Sequence, residues 1–81
     1  MSHLLVPSPP LLRGYTLRPV SARRWRVLDR RGLVIGHVRW EEVVEGLRFH
    51  AERFDLAHAR LRQLGAFWSA REAVECLAYL R

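Results

Sequence analysis

Lysine and asparagine are missing from this chain altogether, cysteine occurs once, and no apolar run approaches the ~18 residues of a membrane span. The single Cys76 excludes an internal disulfide and a cysteine-based metal site, and its apolar neighbours mark it as a small buried hydrophobe rather than a nucleophile. Met1 to Leu12 shows no basic start followed by a long apolar stretch, so the expectation is a cytoplasmic protein that makes no use of a membrane. No cofactor motif and no metal-ligand spacing is present, so neither a cofactor nor a metal is expected. An internal repeat is also lacking.

What is present is the apolar content of a globular protein, 49% of 81 residues, enough for one modest core and therefore one domain. A core of that size contributes only a few kcal/mol of net stability, which leaves room for a homodimer interface or a protein partner.

All 14 basic side chains are arginine, a bias that a high-GC bacterial or phage genome produces without selection for phosphate contact. Their distribution carries more information. Residues 1–40 hold Arg13, Arg18, Arg23, Arg24, Arg26, Arg30, Arg31 and Arg39 against Asp29 alone, a net +7, whereas residues 41–81 hold six arginines against seven acids, a net −1. Codon bias alone does not produce that split, and a one-sided basic surface is the electrostatic footprint of a polyanion binder.

Pro7, Pro9 and Pro10 resist helix and central strand, so residues 1–12 read as a flexible tail and residues 13–81 as a single α+β domain. Arg13 to Val20 reads as an edge strand, the one place Pro19 is tolerated. Arg24 to Leu28 alternates, Leu33 to Trp40 is rich in β-branched residues, and Asp29-Arg30-Arg31-Gly32 between them has the chemistry of a tight turn. A β-hairpin follows. Leu47 to Glu52 alternates again and predicts a third strand. The same region, 41–54, also fits an amphipathic helix, but Gly46 weakens a helix interior by roughly 1 kcal/mol and strand is favoured. Residues 55–62 read as a helical turn or loop, and Gln63 to Trp68 as a brief strand. Ser69 followed by Glu72 has capping-box spacing and predicts a helix over 70–80 with Ala73, Val74, Leu77 and Leu80 on one side. The fold expected is a small antiparallel sheet of three to four strands packed on one C-terminal helix.

One amphipathic helix covers one sheet face. With Trp25, Val27, Val34, Val38, Trp40 and Phe49 beneath it, the open face carries Arg24, Arg26, His37, Arg39, Arg48 and His50, with Arg30 and Arg31 at the hairpin tip. Trp25-Arg26-Val27, the Asp29 to Gly32 turn, and Leu64-Gly65-Ala66-Phe67-Trp68-Ser69 leading into Glu72-Ala73 resemble the three-stranded-sheet-plus-helix DNA-binding domain of plant ethylene-response factors and of the arm-binding end of tyrosine integrases. That resemblance spans roughly residues 24–80 and implies a sheet that reads DNA, although residues 41–62 are longer than the family's connection.

The candidate nucleic-acid contacts are thus Arg24, Arg26, Arg30, Arg31, His37, Arg39 and Arg48, in an accessory or regulatory module for which DNA is favoured over RNA. Arginine can pair bidentately with guanine in a major groove. The competing reading of these arginines is a solvated surface, with the protein serving as an interaction module or homodimer. A contiguous positive face favours the first, and pairing with Glu41, Glu42, Glu45 and Glu52 favours the second. Trp25 and Trp40 read as core, Trp68 beside the helix start as a half-exposed interface anchor. An enzyme is not expected; the form it would take is a metal-independent ribonuclease using His37 and His50, on a face where acids are expected to be scarce. His3 and His58 read as surface residues.

Overall fold

The computed structural model describes residues 7–80. Within them the chain forms β1 (Thr16–Ser21), β2 (Arg24–Leu28), β3 (Val34–Val43), β4 (Gly46–Asp55), β5 (Arg60–Phe67) and α1 (Ala70–Tyr79). The five strands make one antiparallel sheet in sequence order, each pairing with the next. Residues 41–54 are therefore the end of β3, a turn at 44–45 and most of β4, not a helix. Met1 to Val6, half of the expected tail, lies outside the described residues; Leu12, at its end, bridges to Tyr15 and packs on the core.

The sheet has more strands than the three to four expected. Residues 55–62 contribute only a turn at 56–59, after which β5 begins. Its first half, Arg60-Leu61-Arg62-Gln63, carries little apolar signal because it runs exposed along the sheet edge. At the opposite edge, β1 accommodates Pro19, which pairs with Trp25 and there lacks only an amide that a central strand would need.

The core lies between the sheet and α1, where Trp25, Val27, Val38, Trp40, Phe49 and Ala51 meet Ala73, Val74 and Leu77. Two register shifts shape this face. Val27 pairs with Gly36 but Leu28 with Val34, which leaves Ile35 as the extra residue; Ala51 pairs with Gly65 but Glu52 with Gln63, which leaves Leu64. Both extra residues join the core and both precede a glycine. The first shift corrects the expected inward position of Val34: the bulge turns Ile35 inward, and Val34 is exposed. Gly36 permits the helix to approach. A Cβ there would sit 2.5 Å from Leu77 Cδ2 and 2.6 Å from the Glu52 carbonyl oxygen.

Ser69 caps α1 by accepting from the Glu72 amide at 3.1 Å. The last turn has no basic residue of its own. Arg53 of β4 supplies one, donating from Nη2 to the Leu77 carbonyl at 3.0 Å and from Nη1 to that of Leu80, which complements the negative end of the helix. No helix among the described residues is long and apolar enough to cross a membrane.

Candidate nucleic-acid interface

Strand alternation and pairing assign the open face residue by residue. Arg24 lies opposite Arg39, which lies opposite His50; Arg18 lies opposite Arg26, which lies opposite His37, itself opposite Glu52; Glu41 lies opposite Arg48. The sheet thus brings together Arg24, Arg26, His37, Arg39 and Arg48. Arg30 and Arg31 sit apart, at the hairpin tip.

The expected scarcity of acids on this face is wrong. Glu52, buried to 7% exposure, accepts from Arg24 Nε at 2.9 Å and from Arg39 Nε at 3.3 Å. Arg39 also lies 3.6 Å from Glu41, whose other oxygen is 2.9 Å from His50 Nε2. A carboxylate can be buried here because two guanidinium groups surround it. The centre of the face and Arg24 of β2 are consequently compensated, while the neighbouring pair Arg18 and Arg26 is not. Arg18 and Arg26 have no ion-pair partner among the described residues, and cross-strand like charges repel.

The tip extends this uncompensated side. Asp29 Oδ1 accepts from the amides of Arg31 at 2.9 Å and Leu33 at 3.0 Å, and Gly32 takes a φ of +81°, so the turn projects Arg30 and Arg31 outward. An open cleft of about 430 Å³ lies beside it, lined by Arg13, Gly14, Tyr15, Asp29, Arg30 and Arg31. Arg13 and Arg18 fall within residues 13–39, from which phosphate contacts are expected, but are not among the seven individual candidates. The signal for Arg18 was the alternation of Tyr15 and Leu17 with Thr16 and Arg18; for Arg13 there was none, since only the folded Leu12–Tyr15 bridge carries it to the tip.

His37 and His50 do not form an exposed acid–base pair. His50 is buried, its Nε2 is held by Glu41, and its Nδ1 has no partner and no exposure, as is true of His37 Nδ1. No group of three metal-ligating side chains occurs among the described residues. Burial foremost, then Arg26 and Arg24, holds the His37 pKa below its ordinary 6.5, against a smaller opposing pull from Glu52. The neutral ring is thus the native form. Its contribution to stability is full above pH 6.5 and declines as pH falls from there through the lowered native value. His37→Gln is expected to flatten urea midpoints over this range, and an unchanged slope would refute the assignment. Glu41 and Asp55, held low chiefly by hydrogen bonds with His50 and His58, act further toward acid.

Two other features complete the face. Trp68, next after Phe67, is 54% exposed, and the Arg48 guanidinium lies 4.1 Å from its ring centroid. At the far end Leu28, Val34, Phe54 and Leu61 form an apolar row, with Val34 and Phe54 about half exposed. No protein-family model matches the chain, and no match is found among curated proteins or solved structures.

Proposed function

We propose that this protein is a nucleic-acid-binding module whose phosphate contacts come from the β1–β2 side of the open face and the adjoining hairpin tip. The observation that carries the reading is a group of exposed arginines beside which Asp29 is buried and accepts from the turn amides of Arg31 and Leu33. Arg13, Arg18, Arg26, Arg30 and Arg31 are all exposed, and none has an ion-pair partner among the described residues. A phosphate seated between Arg18 and Arg26 replaces their mutual repulsion with two attractions. The likeness of the Leu64 to Ala73 segment to the ethylene-response-factor domain favours DNA.

Salt dependence tests this directly. Five neutralised phosphates correspond to an affinity loss of about 100- to 500-fold between ~50 and ~200 mM salt, because each contact releases condensed counterions. Arg18→Glu is expected to weaken binding several-fold while leaving the unfolding midpoint unchanged or raised, since it sets a carboxylate opposite Arg26. A fluorescence titration showing no binding at either salt concentration would overturn the reading. The second reading, a protein-interaction module, draws on the exposed Val34, Phe54 and Leu61.

A further inference from the structure

The width of the sheet bears on the form of nucleic acid it can take. Five strands at ~4.8 Å spacing span about 19 Å, against a major groove of ~12 Å. The open face as a whole is wider than an undistorted major groove, which favours bases presented outside a duplex.

The face carries groups suited to such bases. Phe54 and Trp68, the only two of the eight aromatic side chains that both lie on this face and stand half exposed, occupy opposite ends of it. Phe54 lies on β4 six residues beyond Arg48, the partner of Trp68, which is about 20 Å along a strand. Their exposure is not a by-product of packing. Trp25, Trp40 and Phe49, on the helix side of the same sheet, are all within 6% of complete burial. Arg48 over Trp68 presents a flat cationic surface beside the ring, and both guanidinium and indole planes stack on bases. Arg26 and Arg18 lie two and three strands away from β4, about 10 to 15 Å across the sheet, where they can meet the backbone of a strand whose bases point toward β4 and β5.

From this arrangement we infer that the ligand is a single strand, with bases stacked on Trp68 and Phe54 and its phosphates on the arginines of β1 and β2. The inference rests on the nucleic-acid reading above and specifies the state of the polymer. It also gives the exposed Phe54 end of the face a role that phosphate contacts alone leave unexplained.

Trp68 provides its own readout, because Trp25 and Trp40 are each only 4% exposed. The experiment titrates the protein with a thymidine single strand of roughly 12 nucleotides, within the range of one such site, and with a blunt duplex of equal length. The single strand is expected to bind at least tenfold more tightly than the duplex and to quench tryptophan emission. Trp68→Leu is expected to abolish the quench and weaken single-strand binding by roughly 5- to 150-fold, the range of one base–aromatic stack. Trp68→Phe keeps a ring and is expected to retain most of the affinity. Circular dichroism and a urea transition matching the parent establish that both variants are folded. Duplex binding as tight as single-strand binding, or parent-like affinity in a folded Trp68→Leu protein, would overturn the single-strand inference while leaving the nucleic-acid reading intact. Failure to bind either oligonucleotide would overturn both.

Discussion

A Leu77→Ala protein is expected to lose about 2–5 kcal/mol of stability, the usual result of emptying a fully buried leucine site. Leu77 has no solvent exposure and rests on Gly36, at the point where α1 meets β3. The described residues hold one helix and one sheet, with no second layer among them to shift and fill the space. Small domains commonly hold only about 5 kcal/mol in total. The substitution therefore removes a large part of the margin, and the urea midpoint is expected to fall steeply with an unchanged dependence on denaturant. A loss below ~1 kcal/mol would mean that the helix does not seat where Leu77 and Gly36 meet. Adding one methyl group on the sheet side does not compensate for the three carbons that Leu77→Ala removes from the helix. At position 36 it would also stand 2.6 Å from the Glu52 carbonyl oxygen, which the substitution at Leu77 leaves in place.

Glu52→Gln is expected to move stability and binding in opposite directions. The carboxylate is buried and holds Arg24 and Arg39, whose side chains are about 30% exposed. An amide keeps an oxygen acceptor but loses the charge, and hydrogen bonds to charged groups are worth about 1.5–3 kcal/mol. Stability falls by an amount toward the lower end, because both arginines reach solvent. The same change leaves the Arg24 charge uncompensated on the open face and weakens the compensation of Arg39, which keeps Glu41 3.6 Å away. Nucleic-acid affinity is expected to rise several-fold, and the salt slope to steepen by up to about 0.7–0.9 for each added phosphate contact. Stability and affinity falling together would mean that the ligand does not lie on this face. The pair of measurements separates a binding surface from a merely charged one, since a loss of folding alone cannot increase affinity.

Several parts of this fold were legible in the chain because local chemistry decides them. Asp29 and Gly32 make the β2–β3 turn through contacts within five residues, and Ser69 caps α1 through the amide three residues on. The alternation of Trp25 and Val27 with Arg24 and Arg26 survives because a half-buried strand requires it. The fifth strand was harder to read. Arg60 to Gln63 owes its strand conformation to pairing with β4, not to its own composition. Val34 was misplaced for a related reason: a one-residue bulge changes which face a side chain takes, and Gly36 announces only that something approaches closely.

Spacing between near neighbours sets the hairpin, the helix and, Val34 apart, the two sheet faces, and composition sets the excess of arginine in residues 1–40. Which arginines remain uncompensated depends on contacts between residues far apart in the chain. Glu52 reaches Arg24 and Arg39 across 28 and 13 residues of chain, and Trp68 reaches Arg48 across the β4–β5 pairing. Charge counted along a chain shows an imbalance, but whether a guanidinium is neutralised depends on distances of a few ångströms that strand register sets. Register therefore turned a basic half-chain into a compensated centre, an uncompensated Arg18–Arg26 pair and two exposed rings.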